Sequence, residues 1–116
     1  MTISVGMVTA DTLDALALGR WWADVTGGRV LEENDGWFVV VGLGEGQPRL
    51  GFQKVDDPTP GKNRLHLDLV VPDALDAEVE RWVAAGATVV GERSMGDFRW
   101  VTLADPDGNQ LCLAQE

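Results

Sequence analysis

The single histidine of this chain, His66, stands in an alternating run, Arg64-Leu65-His66-Leu67-Asp68-Leu69-Val70-Val71. Alternation at period two predicts a strand with an apolar face and a mixed face. Leu65, Leu67, Leu69 and Val71 are predicted to face a core. Arg64, His66, Asp68 and Val70 then point the other way. A free imidazole titrates near neutrality, so His66 is a candidate general acid or base and a candidate ligand contact. Asp68 follows on the same face at roughly 7 Å by strand rise, a separation too long for direct pairing. Cys112 is the single cysteine. It is a nucleophile only if a base or a positive charge makes it a thiolate, and the acidic chain opposes that. An inert, buried thiol is the plainer reading.

The elements that must position these residues are legible from period and punctuation. Residues 3–8 read as a strand, and Asp11 or Thr12 is placed to cap a helix that runs to about Thr26. Its apolar stripe is Leu18, Trp21, Trp22 and Val25, and Gly27 stops it. Strands follow at 28–33, 37–43 and 49–55, separated by turn signals at Asn34-Asp35-Gly36 and Gly44-Glu45-Gly46-Gln47. The stretch 56–63, with Pro58, Pro60 and Gly61, is linker-like. The order then repeats. A strand at 64–71 leads to a helix opened by Pro72-Asp73 and ended by Gly86, with Leu75, Val79, Trp82 and Val83 on one face. Strands at 88–92, 98–104 and 110–115 complete it, the last two joined by Asp105-Pro106-Asp107-Gly108-Asn109.

The pattern is βαβββ twice, an α+β chain of one domain. Module one covers 1–57, a linker 58–63, and module two 64–116. Asp11-Thr12-Leu13-Asp14-Ala15 matches Asp73-Ala74-Leu75-Asp76-Ala77 at an offset of 62, which sets Ser4 against His66. Beyond the first helix the offset becomes 59 and pairs Gln53 with Cys112.

Facing residues in paired strands point to the same side. With Asp105 opposite Asn109, Thr102 faces Cys112 and Trp100 faces Ala114. Val101, Leu103, Leu111 and Leu113 then form the apolar side under the helices. Counting across Gly46 groups Trp37, Val39 and Val41 with Gly51 and Gln53, and leaves Phe38, Val40, Leu50 and Phe52 toward the helix. In the first strand Ile3, Val5 and Met7 are the core set. The face away from the helices thus gathers Ser4, Trp37, Gln53, His66 and Asp68. It also holds Trp100, Thr102 and Cys112. Two indoles beside a few polar groups suit one wall of a small-ligand pocket, or an interface.

Composition removes other classes. Nine Lys and Arg against nineteen Asp and Glu leave a formal net charge of −10. That argues against nucleic acid and anionic membrane surfaces. One cysteine, no apolar run of membrane length and no basic-then-apolar leader fit a cytoplasmic chain.

These residues carry a resemblance. Trp21-Trp22, Leu50-Gly51-Phe52-Gln53 and Lys62-Asn63-Arg64-Leu65-His66-Leu67-Asp68-Leu69 are its first pieces. Ala84-Ala85-Gly86-Ala87, and Asp105-Pro106-Asp107-Gly108-Asn109 followed by Leu111-Cys112-Leu113, complete it. In this order they resemble the vicinal oxygen chelate superfamily of glyoxalases, bleomycin-resistance proteins and extradiol dioxygenases, in its glyoxalase-like branch. The resemblance implies two βαβββ modules curling a mixed sheet into a cup, with helices packed outside, and often a homodimer. Metal-dependent members draw one ligand from the first and fourth strand of each module. Carried over, those positions are Ser4, Gln53, His66 and Cys112. Only His66 matches the usual type, so no cofactor is assigned, and a divalent metal ranks below a metal-free cup. The expected function is binding of a small, aromatic molecule. Trp37 and Trp100 would stack on it, Gln53, Arg64, His66 and Asp68 would orient it, and Thr102 and Cys112 would line the wall. The alternative is a metal-dependent or His66-assisted lyase, isomerase or dioxygenase, with His66 catalytic. A third reading, an interaction module whose sheet a partner closes, is compatible with both.

Overall fold

The computed structural model describes residues 2–115 and divides between Pro60 and Gly61 into two compact units. Each unit is a βαβββ motif with its own four-stranded mixed sheet.

The first unit runs β1 (Met7–Thr12), α1 (Ala15–Thr26), β2 (Arg29–Glu32), a 3-10 turn (Asn34–Gly36), β3 (Phe38–Gly42) and β4 (Arg49–Lys54). Its sheet order is β1-β4-β3-β2, with β1 parallel to β4 and the remaining pairs antiparallel. The Asp14 side chain caps α1 by accepting from Ala17 N at 3.0 Å. Thr12 instead ends β1, and its hydroxyl accepts from Asp14 N. Gly27 closes the helix at φ 72°, a left-handed position that favours glycine. On α1, Gly19 lies against the sheet. A Cβ there would stand 2.6 Å from Val39 Cγ1 and 3.4 Å from Phe52.

Two sequence expectations fail here. The first strand is not 3–8: Ile3 is 93% exposed, Val5 is also exposed, and pairing begins at Met7. Alternation at 3–8 imitates a strand, but parallel pairing with β4 decides where the strand lies. The face of β3 is also inverted. Val39 and Val41 pair with Phe52 and Leu50 on the α1 side, whereas Phe38 and Val40 join Gly51 and Gln53. Phe38-Val39-Val40-Val41 is apolar at every position, with Val39, Val40 and Val41 all buried, so its alternation gives no phase. A count wrong by one residue across the turn flips the whole strand.

The second unit runs β5 (Leu67–Val71), α2 (Leu75–Ala85), β6 (Thr88–Met95), β7 (Phe98–Ala104) and β8 (Gln110–Gln115), in the order β5-β8-β7-β6. Again the first strand is parallel to the last. Val101, Leu103, Leu111 and Leu113 are buried as a set. The β7–β8 register is as the turn predicts, with Thr102 opposite Cys112 and Trp100 opposite Ala114. Asp105, 4% exposed, sets it. Its carboxylate accepts from Asp107 N, Asn109 N and Asn109 Nδ2 at 3.0, 2.8 and 3.0 Å. β6 runs on to Met95, past the predicted end, and a tight turn at Gly96-Asp97 joins it to Phe98. α2 begins two residues later than Pro72-Asp73 suggests. Ala74 precedes it at φ 55° with no side-chain cap, and Gln115 Oε1 of β8 accepts from Leu75 N instead. Glu78 is bound by Arg81 and by Trp82 Nε1 within α2. The Arg81 hydrogen bonds hold its carboxyl below the ordinary glutamate value, burial opposes, and the Trp82 bond assists.

Helix starts at Ala15 and Leu75, and strand starts at Met7 and Leu67, are both 60 residues apart. The identity match at 62 is therefore two residues out of phase with the repeated elements.

Candidate functional site

The second unit presents a side-chain array on the sheet face opposite its apolar core. Asp68 of β5, Cys112 of β8 and Thr102 of β7 lie in one row across three strands. Val70, Ala114 and Trp100 form the next row, two residues along. Rows on one face of a sheet are about 7 Å apart. A polar row therefore adjoins an apolar one, and the small Ala114 lies between Val70 and Trp100.

His66 completes the polar row from just outside the ladder. β5 starts at Leu67, so the predicted strand 64–71 loses its first three residues, and Leu65 is exposed rather than part of a core. Released from pleated geometry, His66 Nδ1 meets Asp68 Oδ1 at 2.9 Å. This corrects the expectation that the pair is too distant to bond. Thr102 Oγ1 and Cys112 Sγ are 3.4 Å apart, at hydrogen-bonding range for sulfur. Cys112 is half-buried, neither sealed in the core nor fully exposed.

Asn63 holds this end of the site, and the sequence reading missed its role. Its amide accepts from Gln110 N at 2.7 Å and donates to Gln110 O at 3.0 Å and to Leu65 O at 2.5 Å. The side chain thus continues the β5–β8 ladder past the end of β5 and fixes the chain entering His66. The available signal was an asparagine at the end of a linker, a residue type that readily bonds neighbouring backbone. Arg64 is exposed between Asn63 and His66. Trp100 is half-buried, with the Phe98 ring centroid 5.5 Å away and tilted by 33°.

Trp37 and Gln53 belong to the first unit. Trp37 precedes β3 and is 62% exposed; the Lys54 ammonium lies 4.7 Å over its ring. Phe38, not Trp37, occupies the face shared with Gln53, which is exposed opposite Phe38 and beside Asp11. Ser4 is exposed outside β1, so it does not occupy the strand position that the resemblance gave it.

The metal positions implied by the resemblance fit this chain only in part. Ser4 lies off the sheet and Gln53 is a neutral amide. His66 and Cys112 supply a nitrogen and a sulfur, and Asp68 adds an oxygen that the implied set lacks. One donor atom from each of the three lies within 4.8 Å of the others. Nitrogen, oxygen and sulfur together suit a thiophilic, tetrahedral ion such as zinc rather than an octahedral, all-oxygen one.

The likenesses of the chain agree with this architecture. The family model described as a glyoxalase-like domain matches residues 7–114. No match was found among curated proteins. Among solved structures, a glyoxalase/bleomycin resistance protein/dioxygenase family enzyme from Burkholderia phytofirmans PsJN superposes with a TM-score of 0.79 at 21% identity, over 95% of this chain and 96% of that one. A glyoxalase-related enzyme from Fulvimarina pelagi gives 0.79 at 19%, over 97% and 88%. A lactoylglutathione lyase from Agrobacterium tumefaciens gives 0.73 at 17%, over 97% and 92%. At these identities the neighbours speak to fold alone. The family match over nearly the whole chain, with the twice-repeated βαβββ order, gives the assignment: the chain belongs to the glyoxalase-like domain family.

Proposed function

We propose that the second unit binds a small, flat, partly aromatic molecule against the face that carries His66 and Trp100. The adjoining polar and apolar rows support this reading most strongly. A ring fits over Ala114 with one edge against Trp100, while a polar substituent reaches His66, Asp68, Thr102 and Cys112. Arg64 flanks the polar end. A large apolar surface with a few convergent polar groups is the usual composition of a small-ligand site.

Intrinsic fluorescence tests it. Binding of anilinonaphthalene sulfonate or a small catechol quenches tryptophan emission. Trp100→Ala weakens affinity roughly fivefold, the equivalent of about 1 kcal/mol of aromatic contact. Ala114→Leu fills the space between Val70 and Trp100 and weakens it further. Full affinity in both variants overturns the reading.

The His66–Asp68 hydrogen bond favours a second reading, in which His66 carries a proton in a lyase, isomerase or dioxygenase reaction. A carboxylate on Nδ1 orients the ring and leaves Nε2 for a substrate. Turnover of a hemithioacetal or catechol that His66→Ala lowers about a hundredfold, with the fold intact, supports it. Turnover unchanged in that variant excludes it.

A further inference from the structure

We infer that the molecule held on this face is an aromatic acid, and that Arg93 of β6 binds its carboxylate. This rests on the reading that the second unit holds a small aromatic molecule, and it narrows that molecule from a ring of any charge to an anionic one.

The register of β6 places the arginine. Gly91 lies opposite Thr102, Arg93 opposite Trp100 and Met95 opposite Phe98. Residues directly opposite share a face. The polar row of Asp68, Cys112 and Thr102 therefore ends at Gly91, and the apolar row of Val70, Ala114 and Trp100 ends at Arg93. The Arg93 side chain turns back from its own row into the polar one. A Cβ at Gly91 would stand 2.9 Å from Arg93 Nη1, 3.2 Å from its Cζ and 3.3 Å from its Nη2. The guanidinium thus takes the space that a side chain at position 91 would fill. Thr102 is one strand further in, a spacing of about 4.8 Å.

This guanidinium is uncommitted. The ion pairs among the described residues join Arg20 to Glu33, His66 to Asp68, Arg81 to Glu78 and Arg99 to Asp76, and none of them takes Arg93. Glu92, its neighbour in sequence, lies opposite Val101 and so on the other side of the sheet. Among the described strand residues of Arg93's face, Asp68 is the only carboxylate. It is three strands away, about 14 Å across the sheet, and bonded to His66. In a chain with nineteen Asp and Glu against nine Lys and Arg, a guanidinium left without a carboxylate is a specific feature. Its planar fork matches a carboxylate with two parallel hydrogen bonds, a geometry that a neutral substituent does not reproduce. A ring over Ala114 with one edge on Trp100 directs such a carboxylate above Thr102. There Arg93 donates from the β6 side, and the Thr102 hydroxyl donates from the sheet.

The test compares 2-naphthoate with 2-naphthamide, which share a shape and differ in charge, by calorimetric titration of the full chain. The parent is expected to bind the naphthoate about fivefold more tightly, as a partly exposed ion pair allows, and added salt narrows the gap. Arg93 is exposed on an edge strand, so its substitution leaves the core intact. Arg93→Gln removes the preference and keeps the naphthamide affinity of the parent. Arg93→Lys, which keeps the charge without the fork, restores part of it. Equal affinities in the parent overturn the inference, as does a preference that survives Arg93→Gln. A preference that vanishes in Arg64→Gln and not in Arg93→Gln also overturns it, since the anion then lies at the opposite edge. Naphthamide bound without any preference for naphthoate removes the anion alone, whereas binding of neither ligand removes the small-molecule reading with it.

Discussion

His66 and Asp68 meet because His66 lies one residue outside β5. Inside a strand, two residues on one face are held apart by the pleat. Outside it, the backbone is free to bring the imidazole back over the carboxylate. Asn63 controls the same segment by bonding the backbone of Gln110. Neither effect follows from residue spacing, since both depend on where the ladder stops. The turn at Asp105 is the opposite case. Its residue types specify a loop in which a carboxylate accepts backbone N–H groups, and that loop sets Thr102 against Cys112. Asp105→Ala removes the buried carboxylate that accepts from Asp107 N, Asn109 N and Asn109 Nδ2 and is expected to cost about 2–3 kcal/mol. Urea denaturation measures this loss. A change under about 0.5 kcal/mol would show that the turn holds by other means.

At the scale of elements, phase decides. In β7 and β8 the aliphatic residues Val101 and Leu103, and Leu111 and Leu113, recur at period two and are buried, so the core face is readable from the sequence. β3 does not alternate, and its faces came out inverted, with Phe38 where Trp37 was expected. β1 lies at Met7–Thr12 and not at 3–8, because the regular alternation at 3–8 lacks the parallel partner that a strand needs. Helix ends show the same division. Asp14 caps α1 with its own side chain, a local signal, while α2 takes its cap from Gln115 on a distant strand. Within α2, Glu78 bears on stability against pH. Its carboxyl is held low by Arg81, so the folded state binds that proton more weakly than the unfolded chain does. The stabilisation is present above the unfolded glutamate value and fades as pH falls through the lower folded one. Glu78→Gln should cost about 0.5 kcal/mol near neutrality, because the pair is partly exposed, and nothing in strong acid. Thermal melts across that range check it. A penalty that persists in acid points to packing instead of charge.

The whole chain is a duplicated design whose halves have diverged. Both units keep the strand order that sets the first strand parallel to the last. In the first, Gly51 faces Met7, Thr9 and Phe38 closely, and a Cβ there would meet all three within 3.0 Å. In the second, the corresponding face carries His66, Asp68, Thr102 and Cys112 beside Trp100. No helix among the described residues is long and apolar enough to cross a membrane. The sequence by itself determined the βαβββ repeat, the apolar core of β7 and β8, and the pairing of Thr102 with Cys112. Each rests on local chemistry, namely period, helix stops and a turn whose residues admit one register. Only the tertiary structure decided where β1 lies, which way β3 faces, and that Asp68 bonds His66 and joins Cys112. Those outcomes depend on partner strands far along the chain, and hydrophobic alternation carries no record of which strand is the partner.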